Sequence, residues 1–236
     1  MKSIKVLLAA AVVTLSLSVQ AQKAVELAEE SHYHLLTEND FARVFLVEIP
    51  GMSATQLHRH EHDYLSISLA DSTVYSTRAG EAPVMVSRNQ GAVQLAFGNF
   101  AHSTRNDSQR TFRSIEVEIM RPSDTATTLN LTQTAAYTEI PLPVDPTTSY
   151  SVSLDRDTFT ATEMQLLPGS ELPLSASPHE VLLVALSDLQ MTDQHPDGPR
   201  AIELRAGEVM WLPGEPGRKL RNTARQKALF VVLQFR

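Results

Sequence analysis

The residues best suited to chemistry lie in one short stretch, 58–63, which reads HRHEHD. Successive side chains of a β-strand point to opposite faces, so a strand here would project His58, His60 and His62 to the same side. Two imidazoles at positions i and i+2 of a strand can reach a single cation, and another ligand must then come from elsewhere in the fold. His102 is the candidate for that role, because it follows a predicted strand and a turn.

The composition narrows the class of protein. The chain has 236 residues, with 20 Lys and Arg against 27 Asp and Glu, which gives a net charge of -7. Without cysteine there is no disulfide framework, no Cys-ligated zinc or iron–sulfur site and no thiol nucleophile, so histidine is the ligand type that the sequence concentrates at one place. An acidic chain with no Lys/Arg-rich block is also a poor candidate for binding nucleic acid.

Residues 1–21 predict a cleaved signal peptide. Lys2 and Lys5 precede an apolar run from Val6 to Val19, and Val19-Gln20-Ala21 places small residues where signal peptidase reads them. The run is shorter than the about 20 residues that a membrane span needs, although an uncleaved amino-terminal anchor is the alternative. We therefore expect a periplasmic or secreted protein of about 215 residues with no stable membrane anchor.

The rest of the chain repeats itself at an almost constant offset of about 117 residues. Four pairs of segments match in order: 42–51 with 160–169, 62–69 with 179–186, 91–98 with 207–214, and 105–106 with 221–222. Duplication explains four matches at one offset better than chance does. We expect an amino-terminal domain over 22–120, a connector over 121–149 and a carboxy-terminal domain over 150–236.

Short segments separated by turn residues predict an all-β fold, either a sandwich or a barrel. The candidate strands of the first half are Val44–Ile49, Tyr64–Leu69, Ser72–Ser76, Val84–Val86, Ala92–Phe97 and Thr111–Ile119. The last of these has apolar residues at 115, 117 and 119, the period of a half-buried strand. Val25–Glu30 predicts a short helix, and an edge strand is expected near Thr128–Thr132 in the connector.

Two motifs in the first half resemble those of the cupin family. The segment 51–60 follows the first cupin motif, G-x5-H-x-H-x3,4-E-x6-G, with one extra residue after the glycine. The segment 91–106 follows the second, G-x5-P-x-G-x2-H-x3-N, at its first glycine, its histidine and its asparagine. Phe97 replaces the proline and Asn99 replaces the second glycine. Together with the repeat, the resemblance covers nearly the whole mature chain.

The resemblance implies a secreted bacterial bicupin with two double-stranded β-helix (jelly-roll) barrels and one metal site. It implies that His58, His60 and His102 are the metal ligands. The family glutamate would stand at Tyr64 or Leu65, and neither replaces a carboxylate well. Three neutral imidazoles leave the charge of the cation uncompensated and leave coordination positions open, which suits Fe(II), Zn(II), Ni(II) or Cu(II) better than Mg or Ca. Some cupin dioxygenases also use only three histidines.

The second half lacks the metal-binding residue types. Ser175 and Ser177 stand at the places of His58 and His60, and Arg218 stands at the place of His102. Arginine does not bind a cation, so we expect the second barrel to be metal-free. It is either purely structural, or its arginine and serines form a pocket for an anion such as a carboxylate.

Three functions fit these residues. The first is a metal-dependent enzyme on a small organic substrate, either a dioxygenase-like oxidoreductase or a Lewis-acid isomerase or lyase. In it Tyr64 would donate a proton and Arg105 or Arg43 would bind a substrate carboxylate. His62 is either a further ligand or, like His179 in the second half, a residue that holds the barrel mouth or an interface. The second is a non-catalytic protein that binds a sugar or a carboxylate, and the third is a structural or storage protein. A homodimer is compatible with the sequence.

Overall fold

The computed structural model describes residues 23–121, 148–174, 180–195, 197–215 and 217–236. The predicted signal peptide, the predicted edge strand near 128–132, Ser175, Ser177 and His179 lie outside the described residues. Within the described part of the chain, no helix has both the length and the apolar character that a membrane crossing requires.

Eleven strands and one 3-10 turn form the first half of the described chain. The strands are β1 (Val25–Glu26), β2 (Tyr33–Glu38), β3 (Ala42–Ile49), β4 (Ser53–Ala54), β5 (His58–His60), β6 (Tyr64–Ser68), β7 (Ser72–Arg78), β8 (Val84–Arg88), β9 (Val93–Ala96), β10 (Phe100–Asn106) and β11 (Phe112–Ile119), and the turn covers Leu27–Glu29. They form two sheets, one in the order β1-β5-β10-β7-β8 with β4 also on β10, and one in the order β2-β3-β11-β6-β9.

The second half repeats this architecture. Its strands are β12 (Thr148–Asp155), β13 (Phe159–Leu166), β14 (Glu171–Pro173), β15 (Val181–Ala185), β16 (Leu189–His195), β17 (Gly198–Leu204), β18 (Val209–Leu212), β19 (Lys219–Asn222) and β20 (Ala228–Phe235). The sheet orders are β12-β13-β20-β15-β18 and β14-β19-β16-β17. The five-stranded sheet matches β2-β3-β11-β6-β9 of the first half strand for strand, while the other sheet has four strands among the described residues against six in the first half. The fold is all-β with two jelly-roll barrels, as the sequence predicted.

Two sequence predictions differ from the described structure. Val25–Glu30 is not a helix: β1 pairs in parallel with β5, with Val25 opposite His58, before the 3-10 turn buries Leu27. The burial of Leu27 and the pairing of Val25 and Glu26 with β5 stabilise this conformation more than the weak local helix propensity stabilises a helix. The strand at 112–119 is not half-buried but buried on both faces.

A shared hydrophobic core joins the two halves. Ile115, Val117 and Ile119 of β11 belong to one buried cluster with Leu182 and Val231 of the second half. The intervening residues of β11 (Ser114, Glu116 and Glu118) are also buried, and by alternation they point into the first barrel. One strand therefore serves the inter-barrel core with one face and the cavity of the first barrel with the other.

Two equivalent glycine turns show how closely the halves approach. Gly91 and Gly207 both have a positive φ, +83° and +91°. A Cβ on Gly91 would lie 3.2 Å from Leu186, and a Cβ on Gly207 would lie 3.1 Å from Leu69. Leu69 and Leu186 are themselves equivalent at the repeat offset. The contacts across the interface are thus reciprocal, which is the arrangement expected of a duplicated chain.

The interiors of the two barrels differ in chemistry. Sixteen buried apolar residues fill the second barrel, among them Leu166, Leu183 and Phe230. The smaller apolar cluster of the first barrel includes Phe45, Val47, Ile49 and Val74 and leaves room for polar side chains.

Leu182→Ala tests the shared core. Because Leu182 is fully buried between the halves, its truncation should lower the free energy of unfolding by about 2–5 kcal/mol. Urea unfolding should show the loss in both the far-UV circular dichroism of the whole chain and the fluorescence of Trp211, which packs against the same cluster. Leu35→Ala is the control, since Leu35 is 52% exposed and should change stability by less than about 0.5 kcal/mol. Two separate transitions would contradict a common core.

Candidate metal centre

The pairing of β5 with β10 brings the predicted histidines together. The strands are antiparallel, with His102 opposite His58 and Phe100 opposite His60. Along β5 the side chains alternate, so His58 and His60 are fully buried while Arg59 is exposed. His102 is 5% exposed and lies on the same inner face. His102 thus meets His58 and His60 inside the first barrel, although more than 40 positions of the chain separate it from them.

The three imidazoles are spaced as ligands of one ion would be. One ring nitrogen of each histidine lies within 4.8 Å of the other two, and among the described residues no other group of three such side chains does so. His60 Nε2 lies 3.1 Å from His102 Nε2, and the ring centroids of His58 and His102 are 4.5 Å apart. Because Zn–N bonds are about 2.0–2.1 Å, nitrogens on one ion lie roughly 3–4 Å apart, which this cluster approaches.

Hydrogen bonds to the outer ring nitrogens orient two of the imidazoles. His58 Nδ1 donates to the carbonyl oxygen of Gln56 at 2.9 Å. His102 Nδ1 lies 3.0 Å from Ser76 Oγ, which can accept its proton. With Nδ1 engaged, the lone pair of each Nε2 is left for a cation, which is how outer partners tune metal-binding histidines.

His60 lacks such a hydrogen bond to Nδ1, but a carboxylate lies close to that atom. Its Nδ1 lies 3.8 Å from Glu118 Oε1, and both atoms are buried without a hydrogen-bond partner among the described residues. The other oxygen of Glu118 accepts from Arg43 Nε at 2.9 Å. A small approach of ring and carboxylate would complete a carboxylate–histidine pair behind the third ligand. The donor set and these unused atoms fit a bound transition metal.

Burial keeps the imidazoles in the form that binds metal. Removal from water, followed by the neighbouring His102 and His58, lowers the pKa of His60 to about 2. Burial, followed by the neighbouring His58, lowers the pKa of His102 to about 3, and burial also lowers the pKa of His58. All three rings are therefore neutral at physiological pH, with free lone pairs.

Aromatic rings pack around the cluster. Tyr64 stacks on His60 with centroids 3.9 Å apart and an interplanar angle of 14°. Phe100 lies 5.1 Å from His102, centroid to centroid, and Tyr33 Oη lies 3.2 Å from His58 Nε2. Burial raises the pKa of the Tyr64 phenol well above its usual value, so this predicted proton donor carries its proton but releases it reluctantly. Its position beside the cluster is clear, while its role as a donor stays a prediction.

Sequence reasoning missed a buried carboxylate at the cluster. Glu116 Oε2 lies 3.8 Å from His60 Nε2, and Tyr33 hydrogen-bonds to the same carboxyl group. Burial raises the pKa of Glu116 to about 8, although Arg88 opposes the rise. The available signal was the pair of glutamates at 116 and 118, which alternate with the apolar residues of β11.

A cavity of about 300 Å³ opens beside the histidines. Its polar and aromatic lining comes from both sheets of the first barrel: Tyr33, Tyr64, Ser76, Arg78, Arg88, Gln94, Phe100, His102 and Glu116. Arg88 Nη1 donates to Ser66 Oγ at 2.5 Å, while its buried Nε has no hydrogen-bond partner among the described residues. The guanidinium of Arg78 lies 4.4 Å above the ring of Phe100. Two cations thus line this cavity.

The arginines and the fourth histidine proposed from the sequence lie elsewhere. Arg105 follows His102 by three positions and so points to the outer face of β10, where it pairs with Asp107 at 2.7 Å. Arg43 is engaged by Glu118, as described above. His62 is outside the cluster because β5 ends at His60 and the chain turns over 61–63. The structure thus brings neither Arg105 nor His62 to the histidine cluster, and the substrate-binding role of Arg105 and the ligand role of His62 stay predictions.

In the second barrel, Arg218 occupies the place of His102 and is neutralised internally. Its side chain is 2% exposed, with Nε 3.1 Å from Asp193 Oδ1 and Nη2 3.4 Å from Glu215 Oε2. Asp193 stands at the repeat offset from Ser76, so an arginine–aspartate pair replaces the histidine–serine pair. A guanidinium ion-paired with the protein's own carboxylates is already charge-balanced, which argues against the predicted anion pocket.

Other predicted residues of the repeat have structural roles. Asn106 Nδ2 donates to the carbonyl oxygens of Ile49 and Arg110, and Asn222 Nδ2 donates to those of Leu166 and Gln226. Both asparagines thus satisfy turn backbone at equivalent places. Met210 and Trp211 pack against the two large apolar clusters.

Proteins of known structure share this architecture. Salicylate 1,2-dioxygenase from Pseudaminobacter salicylatoxidans superposes with a TM-score of 0.58 and 12% identity, over 86% of this chain and 76% of that chain. A variant of that enzyme in complex with gentisate superposes with a TM-score of 0.58 and 13% identity, over 85% of this chain and 71% of that chain. AerE from Microcystis aeruginosa superposes with a TM-score of 0.57 and 12% identity, over 88% of this chain and 98% of that chain. No protein-family model matches the sequence, and no curated protein matches it.

At this level of identity the likeness shows the fold alone. The neighbours are cupin-fold proteins. The fold and the site together define a cupin-fold chain whose first barrel contains a buried cluster of three histidines.

Ser76→Ala tests the orientation of His102. Loss of the hydroxyl that holds Nδ1 should weaken the affinity for Zn(II) or Fe(II) by about 10-fold or more, because outer partners fix ligand geometry. Competition with a chromogenic chelator measures the change. Ser87→Ala is the control, since Ser87 Oγ bonds to Thr73 on an exposed surface and should leave the affinity unchanged. Equal affinities for the two variants would contradict this role.

Proposed function

We propose that the chain is an exported metal-dependent enzyme of dioxygenase type, which binds one divalent transition metal through His58, His60 and His102 and acts on a small organic acid. One observation carries the proposal: three buried, neutral imidazoles converge, and one of them, His102, lines a cavity that is also lined by arginines. A storage or structural role gives no reason to bury three imidazoles against one another.

Iron is the metal that we propose. A nitrogen donor set with open coordination positions suits iron, and solved neighbours of the same fold are dioxygenases. When bound, iron at this place would supply an open site at which dioxygen and an organic substrate can meet. Zinc or nickel in the same site would instead support Lewis-acid chemistry.

The cavity supports a small planar acid as the substrate. Its volume of about 300 Å³ is at the lower end of the range for small-molecule sites and accommodates a single ring. Phe100 and Tyr64 offer aromatic faces on one side. Arg88 and Arg78 provide positive charge, and guanidinium recognises a carboxylate through paired hydrogen bonds. Salicylate and gentisate, which are named with the neighbouring structures, are acids of this class.

The described side chains divide the remaining tasks. Arg88, with its unused Nε, would hold the carboxylate of the substrate and fix the direction in which the ring enters. The apolar residues Val47, Val74 and Val86 would cover the other side of the ring and limit access of water. Tyr33, whose pKa burial raises well above the usual value, would keep its proton on Oη beside His58.

The location and the domain plan belong to the same proposal. The amino-terminal segment 1–21 has the charge and apolar pattern of a signal peptide, which supports export to a periplasm or to the exterior. The matching sheet orders and the reciprocal glycine turns support an origin by duplication, with a first domain over 22–120 and a second over 150–236.

Metal content provides the first test. Protein purified without a histidine tag should contain close to one equivalent of iron, or take it up from Fe(II) without oxygen. The His58→Ala/His102→Ala double variant should contain almost none, because only one ligand remains. His34→Ala is the control, since His34 is exposed on β2 and should leave metal content unchanged. Iron-loaded wild type should then consume dioxygen with gentisate or salicylate. Bound metal without turnover would favour a binding protein instead, and equal metal in all variants would refute the site.

Arg88→Gln tests carboxylate recognition. Loss of a charged hydrogen-bond donor should lower kcat/KM for a substrate carboxylate by about 10- to 100-fold, mainly through KM, since such bonds contribute about 1.5–3 kcal/mol. The uncharged amide of the same substrate should be nearly unaffected by the substitution. Arg105→Gln is the control, because Arg105 points away from the cavity. The assignment is wrong if Arg88→Gln and Arg105→Gln have the same kinetics.

A further inference from the structure

The first barrel contains a carboxylate that neither the histidine cluster nor carboxylate recognition uses. Glu116 lies on β11 and its side chain points into the cavity of the first barrel. It is 6% exposed, and its Oε2 is buried without a hydrogen-bond partner among the described residues. Burying such a group costs free energy unless a cation or a donor compensates for the lost water. Arg88 is near enough to offset part of this cost, but among the described residues it forms no close ion pair with Glu116, and an ion beside Oε2 would offset the rest.

We propose that Glu116 is a fourth ligand of the metal held by the three histidines. The inference rests on the proposed function, because it requires a metal at that cluster. It adds an oxygen donor from the last strand of the barrel, far in sequence from the segment 58–63. The site would then hold its ion through three nitrogens and one carboxylate oxygen.

The distance between Glu116 and the cluster supports direct ligation. Oε2 lies 3.8 Å from His60 Nε2. With metal–ligand bonds of about 2.0–2.2 Å, two ligand atoms on one ion are separated by about 3 Å at a right angle and by about 4 Å when they are opposite. Glu116 lies outside the group of nitrogens that approach one another within 4.8 Å, so its side chain would have to turn to bring Oε2 to an ion held by them.

Charge balance in the cavity supports the same assignment. Three neutral imidazoles do not offset the two positive charges of the ion, and Arg78 and Arg88 add two more. Glu118 is already paired with Arg43. Glu81 lies at the mouth of the cavity and is exposed. Among the described acidic residues lining the cavity, Glu116 is thus the buried one that is available to the ion.

Tyr33 fits this arrangement. Its hydroxyl lies 3.2 Å from His58 Nε2 and also hydrogen-bonds to Glu116. Once an ion occupies the lone pair of His58 Nε2, that nitrogen can no longer accept a hydrogen bond. The hydroxyl proton of Tyr33 is then directed to Glu116, where it steadies the carboxylate that the ion has engaged.

The second barrel offers an internal comparison. Val232 stands on β20 at the repeat offset from Glu116, and it is buried in the apolar interior. The barrel in which Arg218 replaces the histidine therefore also has no carboxylate at this position. At these equivalent positions the first barrel has both imidazoles and a carboxylate and the second barrel has neither, as expected if they serve one ion.

Glu116→Gln provides the test, with cobalt(II) as the probe. The variant keeps size and polarity but removes the negative charge. Competition with a chelator should show at least a 10-fold weaker affinity for Co(II), and the visible absorption spectrum of the bound Co(II) should change, because its ligand set changes. Glu116→Asp, which keeps an oxygen donor, should recover part of the affinity. Glu48→Gln is the matched control, since Glu48 pairs with Arg113 at the half-exposed surface of β3.

The outcomes separate this inference from the proposed function. If Glu116→Gln binds Co(II) with the affinity and spectrum of wild type while His60→Ala does not bind it, the histidine site is real and Glu116 is not a ligand. A weaker affinity with an unchanged spectrum also overturns ligation, because the first coordination sphere is then intact. If neither wild type nor Glu48→Gln binds Co(II), the metal site itself is refuted. Thermal unfolding of the metal-free variants shows whether each one is folded before binding is compared.

Discussion

The antiparallel pairing of β5 with β10 is the interaction on which the metal centre depends. It sets His58 opposite His102 and Phe100 opposite His60, and a slip of one residue would turn these side chains to the outside. The turn before β10 fixes this register. Asn99 adopts φ of 67°, a left-handed conformation that asparagine tolerates better than most residues, and its N–H donates to the carbonyl oxygen of His60 at 2.7 Å. An asparagine at a place where the cupin motif has a glycine is therefore compatible with the turn.

The next requirement is that β11 be buried on both faces. Its apolar residues Ile115 and Val117 belong to the core that joins the barrels, while Glu116 and Glu118 face the histidines. A strand with two inward carboxylates would be costly to bury if its other face met water. Packing of the second barrel against that face supplies the hydrophobic stabilisation that such a strand needs. The second barrel thus contributes to the centre without holding any of the three histidines.

Much of this arrangement could be predicted from the sequence, and the exceptions have physical causes. Alternation along a short strand indicated His58 and His60, but it did not show that the strand ends before His62. The same alternation, extended from His102 to Arg105, already places that arginine outside. The burial of Glu116 and Glu118 on β11 was not predicted, because apolar residues at every second position indicate only that one face of a strand is buried. A sequence does not show that both faces are covered when the covering strands come from the other half of the chain.

Arg88 was missed for a related reason. It lies at the end of β8, and the partners of its guanidinium, Ser66 and Gln94, are on β6 and β9. Only the closure of the two sheets brings these three strands around one cavity, and nothing near Arg88 in the sequence marks it as inward-facing.

The second barrel shows what the first would become without its imidazoles. Arg218 replaces a neutral ring by a permanent charge, and a buried guanidinium must be paired, which Asp193 and Glu215 accomplish. Once the charge is balanced inside the protein, neither a cation nor an outside anion gains by entering. In the first barrel the rings are neutral, and the unpartnered atoms of Glu116 and His60 remain. Because the charges are paired internally in the second barrel but not in the first, we expect a metal site in only one of two barrels with the same fold.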